Sequence, residues 1–309
     1  MSQKEQWDAE IAVDGELAGS LIGEQFRDLA GASILPFGLG WDNTAYLVGG
    51  QWVFRFPRRS VAVKLIDREV RLLPTIAPRL PVAIPFPTHL GQPTERYPWP
   101  FLGYRLIAGT TACHARLSDE ERISWAPPLA AFLRALHGLS ADEATALGAP
   151  GDELSRLDVP VKMTRALTQL GELHGHSLLN DSLVARLEHV LENTSTPPAL
   201  RTGTVVHGDL YARHLLADDA RALVGVIDWG DIHVGDPAVD VSVVHSFLPP
   251  RAYEAFRQAY GALDESSWCL ARFRAAYHSL FVARYAHRIS DKDLLVEALG
   301  ALGRIAAAG

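Results

Sequence analysis

The chain has 309 residues, enough for one large domain or two modest ones. With 48% hydrophobic residues, 21% charged residues and a formal net charge of −7, it has the composition of an ordinary soluble globular protein. This charge excludes the polycationic surface that nucleic-acid binding requires, so we expect no nucleic-acid partner.

Two cysteines, Cys113 and Cys269, are too few for a disulfide framework. They indicate a reducing, cytoplasmic setting in which both thiols are buried. The first residues are polar and acidic and lack the apolar segment of a signal peptide. No apolar run approaches the roughly 18 residues of a membrane span. We therefore expect a cytoplasmic protein with no membrane partner.

The first hundred residues predict a small, mainly β part with one helix. An early helix is expected over residues 15–30, and three short strands follow within residues 33–59. The Gly49-Gly50 pair between two of them is typical of a β-hairpin. Because side chains alternate along a strand, Arg55 in "QWVFRFP" should lie on the face opposite Phe54 and Phe56.

A helical segment, "VAVKLIDREVRLLPTIA", follows the strands and carries apolar residues at helical spacing. The next stretch is too rich in proline for a regular helix. It leads to an apolar strand, "FLGYRLIAG". We place a boundary here, between an N-terminal part of residues 1–108 and a C-terminal part of residues 109–309. A cleft between two such parts is a usual place for a ligand.

The C-terminal part is predicted to be mainly helical. Three clear helical segments are "PPLAAFLRALHGL", "LSRLDVPVKMTRALTQLGEL" and "NDSLVARLEHVLENT". A strand pair around residues 204–230 interrupts the helices, which then resume to the end. The predicted fold class is therefore α+β.

Two apolar runs in this interruption each end on an aspartate. "VVHGD" leads to Asp209 and "LVGVID" leads to Asp228. The short connection suggests that the two strands pair as a hairpin and present both carboxylates from nearby points. Paired carboxylates near a cleft act as acid–base groups or hold a hard cation such as Mg²⁺.

The order of these motifs resembles that of the protein-kinase-like phosphotransferases. "HGDLYARH" at residues 207–214 is similar to their catalytic loop, and "DWG" at 228–230 is similar to their metal-binding motif. The glycine in "HGD" and the downstream "DPAVD" resemble the aminoglycoside phosphotransferase and small-molecule kinase branch, and His214 resembles the macrolide-kinase version of the loop. Upstream, "GLGWDNTAYLV", "VFRFPRR" and "YPWPF" also resemble this family, so the likeness runs from about residue 33 to 250.

The resemblance implies a bilobal kinase-like fold with a small β-rich nucleotide-binding lobe, residues 1–108, and a larger helical lobe, residues 109–309, that carries the catalytic loop and the acceptor site. It also implies a role for each matching residue. Asp209 would orient the acceptor hydroxyl for attack on the γ-phosphate, and Asp228 and His214 would hold magnesium. The implied nucleotide-binding residues are Gly40 and Asn43 in a turn over the phosphates, Arg55 on the α- and β-phosphates, its partner Glu69, and Arg105 and Ile107, whose backbone would bind the purine.

Three positions depart from the kinase pattern. Arg55 stands where lysine is usual, but arginine keeps the charge and can grip phosphate with two donors. Asn43 stands where a third glycine would complete the turn. His214 replaces asparagine, and a neutral imidazole can coordinate a divalent cation although Mg²⁺ prefers oxygen ligands. His207 and Asp240 are expected to brace the loops rather than to react.

These implications predict a small-molecule kinase that uses Mg²⁺ and either ATP or GTP to phosphorylate a hydroxyl of an antibiotic (aminoglycoside or macrolide) or a related metabolite. The expected partner is this small-molecule acceptor, and the expected state is a monomer or weak homodimer. Two alternatives stay open. One is a catalytically inactive nucleotide-binding relative, which Arg55 and His214 make plausible. The other is a metal-dependent hydrolase, which the lack of a second histidine pair at zinc-ligand spacing disfavours.

Overall fold

The structure is a computed structural model that describes residues 9–194 and 200–308. The chain divides into two compact units. The first comprises the residues up to Pro78, Ile84–Ala108 and Asp228–Asp231, and the second comprises Arg79–Ala83, Gly109–Ile227 and the residues from Ile232 onward. The short aspartate-containing segment at 228–231 therefore belongs to the first unit, although its neighbours in sequence belong to the second.

The first unit is built on an antiparallel sheet with the strand order β1-β2-β3-β5-β4. Gly49 and Gly50 have φ values of 57° and 68° and close the hairpin between β2 and β3, as predicted. The elements of this unit are β1 (Ile34–Leu39), β2 (Asn43–Val48), β3 (Trp52–Pro57), β4 (Pro87–Gly91), β5 (Phe101–Arg105), α1 (Gly15–Gln25) and α2 (Ser60–Ile76).

Each face of this sheet packs against a different set of side chains. Phe54 and Phe56 of β3 join a buried cluster with Leu21 of α1, and Val53 joins a second cluster with Ile66 of α2. Because side chains alternate along β3, Arg55 lies on the same face as Val53. The predicted orientation of Arg55, opposite the two phenylalanines, is confirmed.

One strand and two element boundaries in this unit differ from the sequence prediction. Strand β4 was not anticipated, because its segment reads as a proline-rich traverse. Pro87 is the first residue of an edge strand, where a missing backbone N–H breaks no ladder. Strand β5 ends at Arg105, and α1 ends at Gln25 and is followed by a short 3₁₀ turn at Arg27–Leu29.

The second unit is mainly helical, with α11 packed against α7, α9 and α12. Its helices are α3 (Ala112–Ala115), α4 (Asp119–Ser124), α5 (Ala126–His137), α6 (Ala141–Ala146), α7 (Val159–Gly175), α8 (Asp181–Glu192), α9 (Ala238–Phe247), α10 (Tyr253–Tyr260), α11 (Glu265–Arg288) and α12 (Lys292–Ala307). Its strands are β6 (Thr110–Thr111), β7 (Thr204–Val206), β8 (Leu215–Ala217), β9 (Leu223–Val226) and β10 (His233–Gly235).

The predicted hairpin between the two aspartate-bearing strands was wrong. Strand β7 pairs with β10, whereas β9 pairs with β8, so the two strands lie in different sheets. The reason is that β8, directly after the catalytic-loop motif, is the nearer antiparallel partner for β9. A hydrogen bond from the N–H of Ile227 to the carbonyl of His214 continues this pairing beyond β9.

Two further expectations need correction. Helix α7 begins at Val159 rather than near residue 154, because the Asp158 side chain caps the N–H of Val161 and Pro160 fits only the first turn. Cys113 is buried, but Cys269 is exposed on α11, so the expectation that both thiols are buried was wrong. Within the described ranges, no helix has both the length and the apolar character needed to cross a bilayer.

A close glycine–aromatic contact in the first unit predicts a stability effect. A Cβ atom at Gly91 would lie 2.2 Å from Cζ of Phe101, a ring that is only 1% exposed. We expect Gly91→Ala to destabilise the protein by about 1–3 kcal/mol, because the buried ring must shift. Urea unfolding checks this, with Gly151→Ala as the control, since no atom lies within 4 Å of a Cβ there. Equal midpoints for the two variants would contradict the contact.

Candidate active site

The first unit contains a buried ion pair between β3 and α2. Nη1 of Arg55 donates to both carboxylate oxygens of Glu69, at 2.9 Å to Oε1 and 2.7 Å to Oε2. Glu69 is fully buried and Arg55 is 7% exposed. The predicted pairing of these two residues is therefore present in the fold.

The protonation of Arg55 and Glu69 depends on their burial and on the charge that each presents to the other. Burial works against the charged guanidinium, but the carboxylates of Glu69 and Asp228 raise the pKa of Arg55 overall. Burial raises the pKa of Glu69 to about 6, against the opposing effect of Arg55. Both groups are therefore charged at neutral pH, and acidification below about pH 6 discharges the carboxylate.

Asp228 stands beside the same guanidinium. Its Oδ1 lies 3.2 Å from Nη2 of Arg55, and its side chain is 51% exposed. The backbone of Asp228 is left-handed, with φ of 64°, a strained conformation that clusters at functional sites. Gly230 lets this segment approach α2, since a Cβ there would lie 3.1 Å from Leu65. The result is a half-exposed carboxylate held next to a buried cation.

The turn between β1 and β2 is closed by its own backbone. The N–H of Gly40 donates to the carbonyl of Asn43 at 2.9 Å, and Nη1 of Arg58 donates to the carbonyl of Gly40 at 2.7 Å. The buried Oδ1 of Asn43 has no hydrogen-bond partner among the described residues. A buried amide oxygen without a partner is costly. The turn therefore keeps one unused hydrogen-bond acceptor.

Asp42, in the same turn, was not singled out from the sequence. Its Oδ1 accepts from Nη1 of Arg59 at 3.0 Å. Burial raises the pKa of Asp42, Arg59 opposes this, and the nearby charge of Asp228 adds to the rise. A second acid therefore lies in the electrostatic surroundings of Asp228.

Arg105 and Ile107 lie at the end of the sheet in the first unit. Arg105 is the last residue of β5 and pairs with Trp52, and its side chain is exposed. The N–H of Leu106 donates to the carbonyl of Gln51 at 2.8 Å. Pairing thus continues one residue past β5, and Ile107 follows in irregular backbone.

In the second unit, Asp240 holds the "HGD" loop by its backbone. This fully buried carboxylate accepts from the N–H of His207 at 2.7 Å and from the N–H of Gly208 at 2.9 Å, and it also contacts Nε2 of His137 at 3.2 Å. Gly208 has φ of 90°, which explains why glycine occupies this position. The bracing role predicted for Asp240 is confirmed.

His207 also holds the loop. Its ring is fully buried, with Nε2 3.0 Å from the carbonyl of Ile227 and Nδ1 3.3 Å from the N–H of Asp209. These contacts require the Nε2–H tautomer, in which Nδ1 accepts. Burial lowers the pKa of His207, which keeps the ring neutral and able to accept. His207 therefore orders the backbone of Asp209, as predicted.

Asp209 itself lies between two histidines. Nε2 of His278 on α11 is 3.0 Å from Oδ1, and Nδ1 of His214 is 3.8 Å from Oδ2 and 2.7 Å from the Asp209 carbonyl. The Asp209 side chain is 29% exposed. Burial opposes its ionisation, but the hydrogen bond from His278 and the positive charge of Arg274 bring the pKa of Asp209 well below its usual value.

His278 was missed by the sequence analysis. It lies within a long helix, far from the motifs in sequence, and a single histidine on a helix carries no local signal. What could have found it is the one-turn spacing to Arg274, which places two basic side chains on one face of α11. Only the fold shows that this face meets Asp209.

The two side chains predicted to bind Mg²⁺ differ in how well they suit it. The half-exposed carboxylate of Asp228 offers the oxygen ligands that Mg²⁺ prefers, so this residue fits. His214 offers a ring nitrogen, but its Nδ1 is already engaged by the carbonyl of Asp209. Across residues 9–194 and 200–308, no group of three or more histidine, cysteine, aspartate or glutamate side chains is arranged to hold a metal ion by itself. A cation bound at Asp228 would therefore need ligands from outside the protein, such as water.

The model of the phosphotransferase enzyme family (APH) matches residues 33–277, more than half of the chain. The chain belongs to this family. It is therefore a phosphotransferase that acts on a hydroxyl group, with a β-sheet N-terminal part and a helical C-terminal part in a kinase-like fold.

Solved structures and a curated relative agree with this assignment. A GDP complex of wild-type aminoglycoside 2'-phosphotransferase-IIIa is 26% identical, with a TM-score of 0.70, and the likeness covers 96% of this chain and 99% of that one. Macrolide 2'-phosphotransferase MphH from Brachybacterium faecium is 25% identical, with a TM-score of 0.61 and coverage of 94% and 97%. Viomycin phosphotransferase from Streptomyces vinaceus is 29% identical over 126 residues, which are 40% of this chain and 43% of that protein.

The Arg55–Glu69 pair predicts a pH-dependent effect on nucleotide affinity. Glu69→Gln should weaken Mg²⁺–nucleotide binding by about 10- to 100-fold, because a charge-assisted hydrogen bond that orients Arg55 is lost. Since the pKa of Glu69 is about 6, the wild-type advantage should shrink as the pH falls through that value and the carboxylate gains a proton.

Calorimetric titration from pH 5 to 8 measures the nucleotide Kd of the Glu69→Gln variant and of the wild type. The titration of the nucleotide itself cancels in the ratio of the two Kd values. Glu24→Gln is the control, since Glu24 forms an exposed ion pair with Arg96. A ratio that does not change with pH, or equal losses in both variants, would contradict the role of Glu69.

Proposed function

We propose that this phosphotransferase is a small-molecule kinase that transfers the γ-phosphate of ATP or GTP, with Mg²⁺, to a hydroxyl of an aminoglycoside, a macrolide or a related metabolite. The observation that carries the proposal is the arrangement of Arg55, Glu69 and Asp228. It combines a fixed cation for phosphate with an accessible carboxylate for a divalent metal.

In this proposal the first unit holds the nucleotide. Arg55 donates to the α- and β-phosphates while Glu69 fixes its guanidinium plane, a geometry in which arginine can offer two parallel donors. The turn with Gly40 and Asn43 covers the phosphates. The purine binds along the backbone of Arg105 and Ile107.

Asp209 in the second unit acts on the acceptor. Its ionised carboxylate accepts a hydrogen bond from the acceptor hydroxyl and thereby aims the oxygen at the γ-phosphorus. As the new O–P bond forms and the bond to the leaving nucleoside diphosphate breaks, the hydroxyl proton passes to Asp209 and then to solvent. Phosphoryl transfer depends mainly on positioning and charge neutralisation, which these side chains provide.

The proposal assigns Mg²⁺ to Asp228, with His214 as a second ligand. When bound, the ion neutralises negative charge on the phosphates. The carboxylate oxygens of Asp228 support this assignment more strongly than the ring of His214 does, because Mg²⁺ prefers oxygen.

The similar proteins support the choice of substrates. An aminoglycoside phosphotransferase was solved with GDP, so GTP is a credible donor beside ATP. Other relatives are named for a macrolide and for viomycin, so the acceptor is sought among hydroxylated antibiotics first and metabolites second. No observation favours the hydrolase or the inactive relative.

A screen of the purified protein tests the proposed function. ATP and GTP, each with and without Mg²⁺, are incubated with aminoglycosides, macrolides, viomycin and hydroxylated metabolites, and products are scored by mass for one added phosphate. We expect a phosphorylated product that requires Mg²⁺. Nucleotide binding without turnover on any acceptor would support the inactive relative instead.

The role of Asp209 predicts a large and selective loss of turnover. Asp209→Asn should lower kcat by about 10²- to 10⁴-fold, the range for loss of a general base, while the nucleotide Kd stays within about threefold. Steady-state kinetics on the acceptor from the screen and nucleotide titration measure the two effects. Asp219→Asn, in an exposed loop, is the control. A parallel loss of nucleotide binding would make Asp209 a structural residue.

A further inference from the structure

His278 contacts the carboxylate of Asp209 from outside the catalytic-loop motif. Its Nε2 is 3.0 Å from Oδ1, and its side chain is 15% exposed. The ring also packs edge-on against Tyr211, with centroids 5.0 Å apart, and Tyr211 packs edge-on against His214 at 4.5 Å. Helix α11 thus brings one imidazole to the carboxylate while the loop brings another.

The backbone contacts of Asp209 do not fix its carboxylate. His207 accepts from the Asp209 N–H, and Nδ1 of His214 lies 2.7 Å from the Asp209 carbonyl. The terminal torsion of an aspartate has a broad distribution, so a fixed backbone leaves the carboxylate plane free to rotate. The bond from His278 to Oδ1 is the close side-chain contact that sets this plane, since His214 is 3.8 Å from Oδ2.

We propose that His278 is a positioning residue for Asp209: its Nε2–H donates to Oδ1 and leaves Oδ2 directed at the acceptor hydroxyl. This inference rests on the proposed function, in which Asp209 orients that hydroxyl. It adds a residue that the "HGD" motif does not contain. A donor on one oxygen also reduces the number of orientations that the acceptor must select on binding.

The charged and titratable groups around His278 favour a neutral donor. Burial first, and then the charge of Arg274 one turn earlier on α11, lower the pKa of His278, while Asp209 opposes this. Tyr211 from the loop and Glu297 from α12 line a small cavity of about 20 Å³ with the ring. Glu297 is paired with Arg122 and Arg304, so its charge is compensated. A neutral imidazole with its proton on Nε2 is therefore the form that meets Asp209 at neutral pH.

A pair of substitutions separates positioning from packing. His278→Phe keeps a ring but removes the donor, whereas the side-chain amide of His278→Gln can place an N–H close to the position of Nε2. We expect kcat to fall about 10- to 100-fold in the phenylalanine variant, the range for a hydrogen bond to a charged group, with nucleotide KM within about threefold. The glutamine variant should recover most of this loss.

The control for these variants is His287→Phe on the same helix, which should keep wild-type kcat and KM. The acceptor is the one that the screen identifies, and circular dichroism checks folding. Wild-type kcat in a folded His278→Phe variant would overturn the inference. So would equal losses in the phenylalanine and glutamine variants, because packing alone would then explain them.

A spectroscopic measurement tests the hydrogen bond without turnover. In the full-length protein with ¹⁵N-labelled histidine, His278 should show the Nε2–H tautomer, and its Nε2–H proton should shift when Asp209 is replaced by alanine. An Nδ1–H tautomer, or a resonance unchanged in Asp209→Ala, would overturn the inference even in an active enzyme. Failure of the proposed function has a different signature: no acceptor is phosphorylated by the wild type, while the Nε2–H signal still responds to Asp209→Ala.

Discussion

The proposed nucleotide site depends on one buried ion pair, between Arg55 and Glu69. A guanidinium that is 7% exposed is unfavourable in a protein interior unless a carboxylate meets it with good geometry, and Glu69 does so with both oxygens. The pair also limits which groups can lie beside the guanidinium of Arg55. Asp228 approaches the second nitrogen of Arg55 in a strained backbone conformation, and Gly230 lets the same segment lie close to Leu65 of α2.

The proposed acceptor site follows a different principle, in which the carboxylate proposed to act, Asp209, is held by groups that do not react. Asp240 takes two backbone N–H groups of the loop, and His207 takes a third. His278 then contacts the carboxylate itself. Asp240 and His207 thus order the backbone of the loop, whereas His278 acts on the side chain of Asp209.

The sequence predicted the parts of this arrangement that depend on local rules. The alternation of side chains along β3 was enough to predict the face of the sheet on which Arg55 lies. The motif order singled out Asp209 and Asp228, whose roles stay predictions. Strand β4 was missed because its segment reads as proline-rich, although proline is tolerated at a sheet edge. The predicted hairpin between the two aspartate strands was wrong because β8 competes for β9. The spacing of His278 to Arg274 marks a basic face of α11, but the partner of that face could not be predicted because it is set by how α11 packs.

The most direct test of the central claim is a crystal structure with Mg²⁺ and a non-hydrolysable analogue of ATP or GTP. The account predicts that the guanidinium of Arg55, still paired with Glu69, donates to the α- or β-phosphate, and that a carboxylate oxygen of Asp228 ligates Mg²⁺ at about 2.1 Å. Phosphates bound away from Arg55, or a cation with no contact to Asp228, would contradict it.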